Sequence, residues 1–405
     1  MSTISWCNKE EEGISDSNRL RILRESGAVI YLDHAATTPM RPGVWDAMAP
    51  YADVEFGNSS GIHGVSRRAK DALEEARERI AAQIGAGTLE IVLTSGGTES
   101  DNLGIKGAVF SESPRRGVVT VATEHEAVLE TSDFVKRLGM PVTVVGVDKE
   151  GRVDLERLLA AIDGDTAVVS VMLVNNETGV IQDLAAIAAA VKGRDPEVLV
   201  HTDAVQAFGS ESIDVRTLGV DLMSLAAHKF GGPKGAGILY VSEGTALEPV
   251  QHGGGQELGR RSGTHDVGRA VGMAMAMDLA AADREDFGHR VGQIRDDFEK
   301  RLTAGIEGLV VNTPEAGRSP HHLNVRFPGV LNETLLVRMD LAGVAASAGS
   351  ACQSGAAEVS HVLEAMGLAP DQARESIRFS FGWTSTMDEA QEAAETVSDL
   401  VGQLR

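Results

Sequence analysis

Cysteine is nearly missing from this chain of 405 residues: there are two, Cys7 and Cys352. Two thiols cannot build a disulfide framework, and such sparing use suits a reducing cytosol, so Cys352 reads as a free thiol. Aromatic residues are scarce at 4%, and no apolar run approaches the length of a membrane span. Basic charge is outnumbered: 37 Lys and Arg face 59 Asp and Glu, for a formal net charge of −22. That balance argues against nucleic acid or an anionic membrane as a direct partner. The opening stretch "MSTISWCNKEEEGISDSNRL" is polar and acidic, so it reads as neither a signal nor a transit peptide. A cytoplasmic protein is the expectation.

What is present fits a folded enzyme. Hydrophobic content of 42% and 24% charged residues are ordinary, while 45 glycines imply many tight turns. The length favours two domains. Residues 1–28 are charged and unpatterned and are expected to form a mobile extension. From about residue 67, helical periods such as "RRAKDALEEARERIAAQI" and "TESDNLGIKGAVF" alternate with β-rich runs such as "EIVLTS", "VVTVA", "AVVSVML", "VLVHTD", "LMSLAAH" and "GAGILYVS". This alternation predicts a large α/β domain over residues 29–280, with a mostly parallel sheet covered on both faces. A helical stretch near residue 266 leads to "VGQIRDDFEKRLTAGI", "HHLNVRFP", "LNETLLVRMDL", "SIRFSFG" and a last helix, a smaller α+β domain over 281–405.

Ligands of open parallel sheets bind at the carboxyl ends of strands, so the polar residues there come first. "VLTSGGTESDN" sets Gly96, Gly97 and Thr98 between a strand and a helix, where free N–H groups suit a phosphate; a plain connecting turn is as common. "VLVHTDAVQ" ends a strand in Asp203, which either caps the next helix or partners a ring nitrogen that must stay protonated. "DLMSLAAHKFGGPKGAG" holds Lys229 at the sheet edge, where burial depresses basicity as a Schiff-base lysine requires. A snorkelling surface lysine is the ordinary alternative, and Lys234, inside the turn, ranks second. His125 of "TEHEAVLE" could stack on a planar cofactor or cap a helix. Asn176 of "VNNETG" offers an amide to a ring hydroxyl or a substrate, or simply makes a turn. Arg378 of "SIRFSFG" could grip a carboxylate or form a structural salt bridge.

Taken in order, "YLDHAATTP", "FGNSSGIH", "TSGGTESDN", "TEHEAVL", "VNNETG", "HTDAVQ", "AHKFGGPKGAG", "GGGQE", "RSGT", "SAGSAC" and "SIRFSFG" resemble the class V aminotransferase family, and within it the cysteine desulfurases of NifS/IscS type. The resemblance runs from about residue 29 to the C-terminus. It implies the type I pyridoxal phosphate fold, with a seven-stranded sheet in the large domain, a smaller domain and a homodimer. It makes Lys229 the residue that binds pyridoxal 5′-phosphate covalently, Asp203 the partner of the ring nitrogen and His125 the ring-stacking residue. Gln206 and Asn176 fall near the ring oxygen; Gly97, Thr98 and His228 fall at the phosphate, joined by Thr264 from the other subunit. Arg378 would hold the substrate carboxylate. Cys352 would accept sulfur as a persulfide while L-cysteine becomes L-alanine, with His125 moving a proton between thiol and substrate.

The implied role is sulfur delivery to an iron–sulfur scaffold or another acceptor protein. The alternatives are a selenocysteine lyase or related class V aminotransferase, and an assembly protein using Cys352 as a transient iron–sulfur ligand. A lone cysteine without a C-x-x-C partner makes a poor metal site by itself, and no resident metal is expected. Three positions depart from the family pattern: Ala226 in place of a serine, Leu258 in place of an arginine, and Gln353 after the cysteine. Losing one phosphate donor at Ala226 should weaken cofactor retention by ~1 kcal/mol. The small-residue run "AASAGSACQSGAAEV" predicts a mobile loop around residues 350–359. Ser360 should cap the helix that follows and Gly367 should stop it.

Overall fold

The computed structural model describes residues 29–349 and 359–405. The expectations for residues 1–28, for Cys352 and Gln353, and for all but the last residue of the small-residue loop therefore lie outside the described residues.

After the short β1 (Ile30–Tyr31), strands β2 (Ile91–Thr94), β3 (Gly117–Val121), β4 (Val142–Val145), β5 (Thr166–Ser170), β6 (Leu199–Asp203), β7 (Leu222–Ala226) and β8 (Gly237–Val241) follow. Strands β2 to β8 form one seven-stranded sheet in the order β2-β8-β7-β6-β5-β3-β4. β8 alone runs opposite to the other six strands. Every residue of β3, β5, β7 and β8 is buried, because helices cover both faces; that is why these strands read as mainly apolar runs. The sequence reading omits β4. It is an edge strand that leaves Thr143 and Val144 exposed.

Helices sit where the 3.6-residue period puts them. Gly64–Ala82 buries Ala69, Leu73, Ala76 and Ile80, one stripe at helical spacing. The second half differs from expectation in one respect: the two helical segments after residue 266 are a single helix, Val267–Gly305, of 39 residues and about 58 Å. Its interior has no proline, and isolated glycines cost only ~1 kcal/mol each, so nothing breaks it. The division expected at residue 280 thus falls inside one helix. Met273, Met277 and Ala280 pack with the large sheet, while Phe287, Val291, Ile294 and Phe298 pack in a second core.

That second core surrounds β9 (Val310–Val311), β10 (His322–Arg326) and, after β11 (Val344–Ala345), β12 (Ser376–Ser380), paired in the antiparallel order β12-β10-β9. It also takes in the start of the described chain. β1 pairs in parallel with β11, and Ile30 and Leu32 are buried with Phe379 and Phe381, so these N-terminal residues belong with the C-terminal core and not with the large sheet. Ser360 caps the helix His361–Ala365 by accepting from the Leu363 N–H at 3.1 Å, and Gly367 beyond it has φ of +95°. Among the described residues, no helix is long and apolar enough to cross a membrane.

Histidines line the seam between the cores. The rings of His321 and His322 lie 4.1 Å apart, and the Nδ1 of each is 2.9 Å from Ser319 Oγ. Burial pushes His321 down to about 3 and His34 to about 4, and pushes His322 well below the usual histidine range. These rings are therefore neutral in the native state and take up protons more readily when the chain unfolds.

Two outcomes follow. Phe298 is fully buried, with ring centroids 4.9 Å from Phe379 and 5.4 Å from Phe381. Phe298→Ala should cost about 3–5 kcal/mol in urea denaturation. Because depressed histidines bind fewer protons folded than unfolded, they should lower stability as pH falls from about 6.5 toward 4. Urea midpoints across that range should fall for the wild type and fall less for His321→Asn; identical profiles would contradict the assignment.

Candidate active site

The carboxyl ends of the strands deliver their residues to one cavity of about 160 Å³. Gly97 and Thr98 follow β2, His125 follows β3, and Met172 and Asn176 follow β5. Asp203 ends β6, with Val205 and Gln206 next, and β7 ends in Ala226 just ahead of His228 and Lys229. Arg378 reaches the cavity from β12 in the second core. Of the eleven residues to which the resemblance gave a role, nine meet here, Thr264 lies elsewhere and Cys352 lies outside the described residues; Gly96 and Lys234 do not line the cavity.

The strap Asp33–Thr38 ties the site together. Lys229 Nζ donates to the carbonyls of Ala35 and Ala36 at 2.5 and 2.9 Å, and Gln206 Nε2 donates to Ala35 at 2.9 Å. Arg378, 1% exposed, donates from Nη2 to Asp33 Oδ1 at 2.7 Å and from Nη1 to the Asn176 carbonyl at 3.0 Å. The salt bridge foreseen as its ordinary alternative is therefore present, and Nε still has no protein partner among the described residues. This strap lies within the motif "YLDHAATTP", in which no residue type by itself marks a role.

His125 caps the helix Glu126–Arg137: its Nδ1 accepts the Ala127 N–H at 3.0 Å. An Nδ1 that accepts fixes the neutral tautomer with its proton on Nε2. His228 Nδ1 lies 3.2 Å from Thr37 Oγ1, and burial, with Lys229 and Lys234 nearby, pushes it down to about 4. Gly97 starts the helix Gly97–Phe110 and must be glycine, since a Cβ there would meet Val205 at 2.8 Å.

Asp203 accepts the Val205 N–H at 2.8 Å, the helix-cap-like contact anticipated for it, and still lines the cavity. Burial raises its pKa, against the pull of His125 and Lys229. Two more buried carboxyls adjoin it, Asp101 and Glu124, both raised by burial and by the charge of Asp203, Glu124 to about 8. The sequence reading missed both. Their signals were there: Asp101 comes one helical turn after Gly97, and Glu124 immediately precedes His125.

Of the departures, Ala226 is buried and lines the cavity with a methyl group where the family pattern has a hydroxyl. Leu258 is exposed and follows Glu257 in a left-handed turn, with φ of 51° and 57°. That turn is anchored by Glu257, which accepts from Arg77 at 2.7 and 2.8 Å and from the Leu93 N–H at 2.8 Å. Thr264, a few residues on, is exposed in a groove of about 480 Å³ with Trp45, Tyr51 and Phe56.

The donor set fits pyridoxal 5′-phosphate. A lysine amine, a buried carboxyl with lining surface to spare, an imidazole held in one tautomer and a helix start with unoccupied N–H groups share one cavity. Asn176 Oδ1, buried and without a protein partner, adds an unused acceptor.

Comparison with known proteins bears on the same chemistry. The sequence matches the aminotransferase class-V family over residues 30–392. It is 42% identical over 377 residues to cysteine desulfurase IscS of Dictyoglomus turgidum (strain DSM 6724 / Z-1310), covering 93% of this chain and 95% of that one. It is 44% identical over 380 residues to cysteine desulfurase IscS of Neisseria meningitidis serogroup C (strain 053442), covering 93% of each. A solved NifS-like protein superimposes with a TM-score of 0.87 at 35% identity, over 93% of this chain and 100% of that one. The chain belongs to the class-V aminotransferase family, pyridoxal phosphate enzymes, and within it to the cysteine desulfurases of IscS and NifS type.

Proposed function

We propose that the protein converts L-cysteine to L-alanine and carries the sulfur away as a persulfide on Cys352, for an iron–sulfur scaffold or another acceptor. The observation that carries this reading is the meeting of Lys229, Asp203, His125, Asn176, Gln206 and Arg378 in one cavity. When bound, pyridoxal phosphate supplies an electron sink that makes the substrate Cα proton acidic. Lys229 would hold the cofactor through its amine, and the same amine would take up that proton. Asp203 would partner the ring nitrogen and favour its protonated form. His125, with its proton on Nε2, would lie against the ring and would move protons between thiol and substrate. Gly97, Thr98 and neutral His228 offer donors to the phosphate, with one fewer because position 226 is alanine.

Arg378 orients the substrate through its carboxylate. Its guanidinium is already fixed by Asp33 and the Asn176 carbonyl, so little freedom is lost when a carboxylate binds its remaining N–H groups. The Cys352 thiolate attacks the substrate sulfur: the new S–S bond forms as the substrate C–S bond breaks, and the electron pair of that bond stays on the carbon fragment that becomes alanine.

A second copy of the chain completes the site. Trp45, Val54, Phe56 and Ile62 are large apolar side chains left 51%, 68%, 71% and 91% exposed, and the groove that includes Trp45 and Phe56 carries Thr264. Exposed apolar surface of that kind marks an interface, and a partner seated there would receive Thr264 at its phosphate site. We place this dimer in the cytoplasm, in line with its acidic composition and near-absence of cysteine.

Alanine and sulfide formation from L-cysteine tests the reading. Lys229→Ala and Cys352→Ser should each lower both products at least ~100-fold. Alanine formed at the wild-type rate by Cys352→Ser would exclude the persulfide route and leave a lyase. Arg378→Lys keeps the charge but loses the fork, so KM for cysteine should rise ~10–100-fold with a smaller change in kcat. A change confined to kcat would remove Arg378 from substrate binding.

A further inference from the structure

Behind Asp203 runs a line of polar side chains that the proposed mechanism does not use. Ser170 ends β5 and faces His201 on β6 in direct register. Ser170 Oγ lies 2.9 Å from His201 Nδ1 and 3.2 Å from Glu124 Oε1. On the other side, His201 Nε2 lies 3.1 Å from Ser224 Oγ of β7. Asp101 Oδ1, buried and with no hydrogen-bond partner of its own among the described residues, is 3.6 Å from the same nitrogen and near enough to Ser224 for that hydroxyl to lower the Asp101 pKa against burial. All five residues are at most 1% exposed. His201 and Asp203 are two apart on one strand and share a face, so the line passes directly beneath Asp203. Gly104 lets the helix bearing Asp101 close over His201: a Cβ there would meet the ring at 3.0 Å.

We propose that Glu124, Ser170, His201, Ser224 and Asp101 form one hydrogen-bonded chain in which a proton at one carboxyl end leaves the negative charge at the other, making these residues positioning groups for the charge of Asp203. The direction of the chain is forced by donor counting. A neutral imidazole donates from one nitrogen and accepts at the other, and each hydroxyl donates once. If both carboxyls were ionised and accepting, both hydroxyls would point away from His201, and the ring would have to donate twice as a cation. Burial excludes that cation, pushing His201 down to about 3. One carboxyl must therefore be an acid. In one state Glu124 donates to Ser170, Ser170 to Nδ1, Nε2 to Ser224 and Ser224 to ionised Asp101; in the other every bond is reversed. The change of state moves one proton between Asp101 and Glu124, each hydroxyl gives one and receives one, and His201 exchanges tautomers.

The two states differ where it matters. Asp101 lines the cavity and Glu124 does not, so the switch brings a negative charge toward the cofactor or takes it away. The other charged or titratable groups facing the chain are Asp203, which raises both carboxyls; His125 and Lys229, which act on Asp203; and His361, whose Nε2 is 2.9 Å from the Glu124 carbonyl. The proposal rests on Asp203 being the partner of the ring nitrogen.

Nitrogen-15 NMR of histidine-labelled protein reads the tautomer, with His201→Gln assigning the signal. Ser170→Ala disconnects Glu124, so His201 should carry its proton on Nε2 and direct the chain to Asp101; Ser224→Ala should put it on Nδ1. In the cofactor-loaded proteins, the pH midpoint of the cofactor absorbance should be higher in Ser170→Ala than in Ser224→Ala by at least ~0.5 unit, since a nearer negative charge favours the protonated form. The same tautomer in both variants, a doubly protonated ring, or equal midpoints with opposite tautomers would overturn the proposal. Asp203→Asn separates the two readings. If it leaves cofactor affinity and absorbance unchanged, the ring-nitrogen assignment fails, while the tautomers in the cofactor-free variants still judge the chain.

Discussion

A sheet buried on both faces keeps ionisable groups at its edges, and this protein sets a cluster of buried ones at the carboxyl edge. Asp203 closes the strand that also holds His201, Lys229 follows the strand that holds Ser224, and Asp101 and Glu124 stand beside them. Isolated, each ionised group would cost several kcal/mol. The arrangement is tolerable because burial raises the carboxyls, so that they are not all ionised at once, and because a cofactor with a cationic nitrogen and an anionic phosphate offers the missing partners. Cofactor binding and the electrostatics of the fold are one problem.

The same economy explains the join between the two cores. The strap Asp33–Thr38 leaves the small-core strand β1, passes Asp33 to Arg378, and presents the Ala35 and Ala36 carbonyls to Lys229. The long helix Val267–Gly305 holds both cores on one rod. Substrate-side and cofactor-side groups therefore keep a fixed relation although they belong to different cores.

Much of this was legible in the sequence. The buried strands announce themselves as mainly apolar runs, and strand ends mark Asp203, His125 and Lys229 without any knowledge of contacts. What stayed hidden has physical reasons. The edge strand β4 has no buried outer face to enforce a pattern, and the long helix has no capping or proline signal at its middle to say whether it is one element or two. Asp101 sits in a helical run and Glu124 beside a more conspicuous histidine, so their common burial becomes visible only when β3, β6 and the helix Gly97–Phe110 are brought together. Long-range pairs such as Asp33 with Arg378 leave no local trace at all.

The account depends most on Lys229 being the residue that holds the cofactor. Borohydride converts an imine between a lysine and the cofactor into a stable amine, and peptide mass spectrometry then locates it. The cofactor should be found on the peptide at Lys229 and nowhere else; attachment at Lys234, or no attachment in a protein loaded with pyridoxal phosphate, would contradict the account.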